Sequence, residues 1–360
     1  MSSPSTEPKL CTLSGQRIVQ IHPSLRCNLR CQHCYSSSGP WIKTELDPAP
    51  VCSLVSDAAR MGYEVISVSG GEPFLYSGLA QVLRHCKSLG LRTTVTTNGY
   101  FLQPRWLEPV RECIDVLAIS LDGPRELHDE MRAMPGAFDR LCAGLECVRA
   151  HRMNFGLIHT VTGRTWEHMV WLAEFAAQQG SRLLQFHPLE MAGRAEQKLP
   201  GQHPEEDVLA KAYLLAFALA LKYSGTMNIQ LDLLETAYAV AQPHLVYADE
   251  LAEGWEERSP ADLLSLIVLE GDGTVVPISY DFSRRFQICN LQRQSLAASW
   301  PAFLRETYPA YRNLCRTLFQ ELTSGNRPLF NWYEQIVAYS RTAPLRSATP
   351  ETEGLLARAS

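Results

Sequence analysis

At 360 residues the chain is long enough for one large domain and a smaller one, with 46% hydrophobic and 20% charged residues, as in ordinary globular proteins. The net charge of −5 offers no basic surface for nucleic acid or a membrane. No apolar run reaches the roughly 18–20 residues of a spanning helix, and the N-terminus lacks a charged-then-apolar export pattern, so a cytoplasmic location is expected.

Residues 1–16 are polar and Ser/Pro-containing and read as a flexible arm. From Arg17 short β-branched runs alternate with helical spacing. The runs are Arg17–Ile21, Glu64–Ser69, Arg92–Thr97, Val116–Leu121, Phe155–Thr162 and Leu183–Pro188. Pro48–Met61, Gly78–Leu89, Ala137–Arg149 and Thr165–Gln179 carry the helical spacing between them. Six such alternations predict parallel strands with crossover helices, in an open barrel or a doubly wound sheet. In barrels the chemistry sits on loops after the strands. The polar residues fall there: the clustered cysteines, Gly70–Pro73, Asn98-Gly99, Ser120–Asp122, Thr160–Thr162 and His187.

The alternation stops after Ala192. A polar linker over 192–204 precedes a helix over Glu205–Tyr223, whose apolar stretch Ala212–Leu221 reads as a buried amphipathic helix. Leu263–Pro277 places two apolar runs around Gly271-Asp272-Gly273, a hairpin signal. Ser295–Leu304 and Tyr311–Leu322 look helical. Residues 341–360 read as a disordered tail.

Eleven cysteines without an export signal argue against a disulfide framework. Cys11, Cys52, Cys86, Cys113, Cys142, Cys147, Cys289 and Cys315 are scattered and read as small core residues. Cys27-x3-Cys31-x2-Cys34 is a cluster. Thiolates at this spacing suit zinc or an iron–sulfur centre. Zinc would need a fourth ligand, for which His22 and His33 stand near. A cubane held by three cysteines leaves one iron open for a substrate or cofactor.

Cys27-Asn-Leu-Arg-Cys31-Gln-His-Cys34-Tyr resembles the radical S-adenosylmethionine (SAM) superfamily. Gly70-Gly71-Glu72-Pro73 stands where that family has its GGEP-type segment. Ile119-Ser-Leu-Asp-Gly123 with His128-Asp129 and Arg132 is similar to the subfamily of anaerobic sulfatase-maturating enzymes and peptide maturases, as is Gly193-Arg194-Ala195. The resemblance covers about residues 17–195. It implies an α/β fold: a partial (β/α)6 barrel of parallel strands over 17–195, with a smaller α+β C-terminal extension over 196–340.

The resemblance also implies the chemistry. One [4Fe-4S] cluster on Cys27, Cys31 and Cys34 would cleave SAM to methionine and a 5′-deoxyadenosyl radical, which abstracts hydrogen from substrate. Gly70, Gly71 and Pro73 would shape the cofactor loop. Glu72 would receive the methionine ammonium or orient that loop. Ser120 would contact the ribose, Arg132 the cofactor carboxylate, and His33 and Leu189 the adenine. Bland readings stand beside these: a turn for the glycines, a strand-end hydroxyl for Ser120, a solvated arginine for Arg132 and a core leucine for Leu189. Asn98 is a turn residue or a polar wall. His187 faces the pocket or packs in the core.

In the C-terminal extension the resemblance thins. Leu263–Pro277, Cys289-Asn290-Leu291 and Trp300 are similar to the extension's core, but Ile278 stands where a cysteine is usual. Two cysteines cannot ligate an ordinary four-cysteine cluster, so no auxiliary cluster is expected. The implied activity is hydrogen abstraction from a ribosomal peptide or protein. A separate leader-peptide-binding protein and a flavodoxin- or ferredoxin-type donor are the implied partners. The alternatives are maturation of a small molecule such as a porphyrin, and a non-enzymatic metal-binding scaffold.

Overall fold

The computed structural model describes residue 10 and residues 16–247, 258–325 and 327–342. The predicted tail, apart from its first two residues, and nearly all of the predicted arm lie outside the described residues. Six parallel strands stand side by side in chain order: β1 (Ile18–Ile21), β2 (Val65–Val68), β3 (Arg92–Thr97), β4 (Val116–Ser120), β5 (Phe155–Val161) and β6 (Leu183–Pro188). The connecting helices are α1 (Pro48–Arg60), α2 (Leu79–Ser88), α3 (Pro104–Leu107), α4 (Arg125–Arg132), α5 (Ala137–Ala150) and α6 (Met169–Gln179). Local chemistry sets their ends. Asp47 caps α1 by accepting the Ala49 N–H at 2.8 Å, and Pro48 opens the helix. Gly180 closes α6 in the left-handed region.

The sheet is wider than six strands. β7 (Asn228–Leu231) pairs parallel with β6 at one edge. At the other, β9 (Leu266–Leu269) pairs parallel with β1, and β10 (Thr274–Pro277) and β11 (Cys289–Asn290) continue antiparallel. The predicted hairpin forms, but it belongs to the same ten-stranded sheet as the barrel strands. An unpaired β1 edge would leave backbone donors and acceptors open, and the apolar Leu266–Leu269 run satisfies them. The remaining elements are α7 (Ala195–Lys198), α8 (Glu206–Lys222), β8 (Leu234–Glu235), α9 (Thr236–Ala241), α10 (Pro260–Leu263), α11 (Leu296–Glu306), α12 (Tyr308–Ser324), β12 (Leu329–Phe330) and α13 (Trp332–Thr342).

Two expectations change. The linker contains the short α7. Helix α8 packs through Ala212, Ala216, Leu219 and Ala220, and leaves Leu214 and Leu221 exposed. Its small residues let it lie close to β7, while Leu214 and Leu221 fall on the outer side. Cys86, Cys289 and Cys315 are buried in the main core, and Cys52, Cys113, Cys142 and Cys147 pack against it. Cys11 lies outside the described residues. Among the described residues no helix is long and apolar enough to cross a membrane.

The two sheet faces differ in burial. Val19, Ile21, Ile66, Val68, Val95, Leu117, Ile119, Leu157, Leu184, Phe186, Ile229 and Leu231 are fully buried in the core. The residues between them, Gln20, Ser67, Thr94, Thr96, Ser120, Thr160, Gln185, His187 and Gln230, are partly exposed. Side chains alternate along a strand, so one face is sealed by helices and the other, which also carries Ala118 and Ile158, is more open and richer in polar side chains.

Asp57 ties the barrel to the C-terminal helices. It is buried on α1 and accepts the Ala297 N–H of α11 at 2.9 Å. Replacing it with Ala leaves that N–H unsatisfied. Asp57→Ala is expected to lower stability by about 1–3 kcal/mol, read as a lower thermal midpoint with the cysteine loop intact.

Candidate active site

The loop after β1 carries the three cysteines, and two other loops are laid against it. From the β2 side the Gly71 N–H donates to the Ser24 carbonyl at 2.8 Å and the Glu72 N–H to the Arg26 carbonyl at 2.9 Å. A Cβ on Gly71 would stand 2.1 Å from the Arg26 carbonyl oxygen, so only glycine permits this approach. From the β6 side the Arg194 N–H donates to the Cys34 carbonyl at 2.9 Å, and its guanidinium reaches the Ser38 carbonyl. Gly193, at φ +58°, would clash with the Tyr35 carbonyl if it carried a Cβ. The Gly193-Arg194-Ala195 motif therefore clamps the cysteine loop.

The sulfurs are ringed by donors. Cys27 Sγ accepts from the Leu29 N–H at 3.4 Å and from Asn98 Nδ2 at 3.7 Å. Cys31 Sγ accepts from Arg132 Nη1 at 3.6 Å, and Cys34 Sγ lies 3.5 Å from Ser36 Oγ. Burial, helped by the negative Glu72, pushes the Cys27 thiol up to about 12. Burial also raises Cys31 against the pull of Arg132. Such thiols do not ionise unaided near neutral pH; a bound metal's positive charge is what makes them thiolates.

Glu72 is buried and its carboxylate is fully used. Oε1 accepts from Thr97 Oγ1 at 2.9 Å and from the Phe74 N–H at 3.3 Å, and Oε2 accepts from the Asn98 N–H at 2.9 Å. It thereby pins the Gly70–Pro73 loop to the end of β3. Burial outweighs these bonds and lifts its pKa to about 7. Asn98 is both turn and wall: Oδ1 accepts the Tyr100 N–H at 2.9 Å, while Nδ2 reaches Asn28 Oδ1 at 2.9 Å.

Arg132 is not a surface arginine. It is buried on α4, with Nε 2.7 Å from Asp122 Oδ2. Burial would raise the Asp122 pKa, but Arg132, His33, His128 and His159 hold it down near about 2. The pair is close yet poorly aligned for hydrogen bonding. Both Asp122 oxygens, Arg132 Nε, His33 Nδ1 and Asn28 Nδ2 are buried without a hydrogen-bond partner. Burial keeps His33 neutral, near about 4, with Nε2 3.8 Å from Asp122. Ser120 ends β4 on the open face. Leu189 packs with Met131, Ala195 and Leu199, and its N–H donates to Val161.

His22 is buried and neutral, near about 3, with neither ring nitrogen bonded. Its ring lies 4.9 Å from that of Tyr280 and 6.0 Å from that of Tyr35. Tyr280 follows Ile278, whose φ of +62° is unusual for a β-branched residue. A strained turn thus occupies the position where the resemblance led one to look for cysteine.

A radical SAM superfamily domain model matches residues 21–176. Residues 21–176, a little under half of the chain, thus match a radical SAM domain. Such domains use a [4Fe-4S] cluster and SAM. An AdoMet-dependent heme synthase from Methanosarcina barkeri is 31% identical over 187 residues, 51% of this chain and 54% of that protein. The chain thus spans about half the length of this relative. Streptococcus suis SuiB bound to S-adenosylmethionine superposes with a TM-score of 0.64 at 17% identity, covering 83% of this chain and 68% of that one. The protein anSMEcpe with bound AdoMet gives 0.60 at 18%, covering 90% and 96%. These two likenesses are of fold.

The residues present fit the cluster and SAM. Three free cysteines sit beneath amide and guanidinium donors, and unpaired buried polar atoms adjoin them. Among the described residues no three His, Cys, Asp or Glu side chains converge as a single-ion site does. A cluster that gives each thiolate its own iron makes no such demand.

Sequence reading passed over the roles of Asp122, His128 and His159, and missed α4 itself. The signal was present in Asp122 and Arg132, a charged pair flanking a helix-length gap.

Two changes test this construction. Removing one partner of a buried ion pair costs about 3–5 kcal/mol. Arg132→Met is expected to destabilise by that order in denaturant, and adding Asp122→Asn should recover part of it. Gly71→Ala should lower iron bound after anaerobic reconstitution at least several-fold.

Proposed function

We propose that the chain is a radical SAM enzyme acting on a peptide or protein side chain. Cys27, Cys31 and Cys34 would hold the cluster. Gly70, Gly71, Glu72 and Pro73 would shape the cofactor loop, and His33, Ser120, Arg132 and Leu189 would surround SAM. Arg132 and Asp122 have the charge and spare valence to meet an amino-acid moiety. Leu189, already packed in a small cluster, would form an apolar floor. When bound, the cluster and SAM supply the radical that removes a hydrogen atom from substrate. The protein's own residues orient the cofactor and exclude water.

The observation that carries the substrate class is the chemistry of the open face. Its polar strand residues are Gln, Ser, Thr, Asn and His, set among the partly exposed Ile18, Val116, Ala118, Ile158 and Leu183. Among the described residues the one cation on that face of β1–β7 is Arg92, at the N-terminal mouth beside Glu64. Peptide amides need neutral donors and acceptors of this kind. A porphyrin with several carboxylates would call for Arg or Lys.

Similarity to the heme synthase favours a second reading, a tetrapyrrole substrate. A flavodoxin- or ferredoxin-type donor, a separate leader-peptide-binding protein and a cytoplasmic location fit the first reading.

The reconstituted full chain is expected to bind about four iron per molecule and, with dithionite and SAM, to form 5′-deoxyadenosine. The triple variant Cys27→Ala/Cys31→Ala/Cys34→Ala should lose both. Mass spectrometry after co-expression with candidate precursor peptides should show a modified peptide. Conversion of an iron porphyrin carboxylate, with peptides unchanged, would select the second reading.

A further inference from the structure

A cluster of titratable groups lies at the far side of the open face, outside the proposed cofactor pocket. His187, in β6, is 37% exposed at its side chain, and its Nδ1 is hydrogen-bonded to Asp232, which is 9% exposed. The sheet itself builds this pair. Phe186 stands opposite Leu231, so the residues after them, His187 and Asp232, fall side by side, with Thr160 across from His187. Three other titratable groups belong to the neighbourhood: Glu190 on the loop after β6, Glu334 of α13, and His203, whose Nε2 is 2.8 Å from Glu334. The Glu190 loop runs on to Gly193 and Arg194, which touch the cysteine loop. Cys34 and Glu190 both act electrostatically on Tyr35, so the Glu190 loop borders the cysteine loop.

A carboxylate on Nδ1 fixes the imidazole tautomer, leaves the Nε2 lone pair for the open face and stabilises the imidazolium. Burial lowers the His187 pKa, but Asp232 and Glu190 outweigh it and hold it above the ordinary histidine value. Burial and Glu334 lift Glu190 to about 7. A base whose pKa lies near the working pH transfers protons efficiently.

We infer that His187, held by Asp232, is the proton acceptor for the substrate once it has lost a hydrogen atom. This rests on the radical SAM reading. A carbon radical makes an adjacent N–H or O–H more acidic. His187 Nε2 takes that proton: the N–H or O–H bond breaks, an Nε2–H bond forms, and the electron pair stays on the substrate. Imidazole becomes imidazolium. No electron reaches the protein, so the step needs no oxidant. Asp232 is a positioning residue.

Two measurements on the reconstituted full chain test this. The first needs no substrate. Carbethoxylation by diethyl pyrocarbonate, mapped by mass spectrometry against pH, should modify His187 with a midpoint above that of ordinary histidine. The midpoint should fall in Asp232→Asn. An unreactive His187, or a midpoint unmoved by Asp232→Asn, overturns the inference. The second uses the precursor peptide found by co-expression. His187→Gln should lower the ratio of modified peptide to 5′-deoxyadenosine by about 100-fold or more. In Asp232→Asn the rising limb of the pH profile should move to lower pH with a smaller maximum. A ratio kept within twofold in His187→Gln, or a parallel loss of 5′-deoxyadenosine, also overturns it. If no peptide is modified by the unaltered enzyme, the peptide reading fails and the carbethoxylation result alone decides on His187.

Discussion

The buried pair of Asp122 and Arg132 is the constraint on which the site depends. Neither charge is stable alone in a low-dielectric interior. Each must therefore be delivered to the other by its own element: Asp122 by the end of β4, Arg132 by the last turn of α4. That requirement fixes α4 over the barrel mouth. From there Arg132 reaches Cys31 Sγ, and the neighbouring Met131 and Glu130 carbonyls accept from the Gln32 main chain and side chain at 2.8 Å each. One ion pair thus positions a helix, a cysteine loop and a guanidinium together. Its imperfect alignment leaves buried polar atoms unspent, which suits the proposed role of meeting a zwitterion.

The sheet serves the same end by its asymmetry. Helices seal one face with Val, Ile, Leu and Phe, as parallel sheets require. The other face is more open, and hydroxyls and amides line it together with Ala118 and Ile158. Strands added at both edges widen that face. β7 brings Asp232 beside His187, and β9 brings Glu270 to the level of His22. The C-terminal segment is therefore structural wall as well as extension. The turn that holds Ile278 at positive φ is followed by Tyr280, whose ring packs at a tilt against His22. Cys289 and Cys315 pack in the main core.

Much of this was legible in the residues. The six strands appear within one or two residues of their β-branched runs, because a buried parallel strand must be continuously apolar on one side. Cys27, Cys31 and Cys34, Gly70–Pro73 and Gly193-Arg194 are local in the chain, and local spacing is what a sequence displays. Helix α4 was not legible. Arg125–Arg132 is short and mostly charged, with only Leu127 and Met131 as an apolar pair. The two uses open to Glu72 were also undecided by spacing; the three hydrogen bonds to its carboxylate tie it to the loop.

By itself, then, the chain's order of residues determined the repeat of strands and helices, the cysteine cluster and the glycines that let loops touch. Each of these is set by chemistry within a few neighbours. Tertiary structure alone decided that Arg132 is buried, that the hairpin completes the β1 edge, and that His187 meets Asp232 forty-five residues away. Those outcomes depend on burial and on register between strands. Both are properties of the assembled sheet, in which desolvation and pairing act between residues that the chain keeps apart.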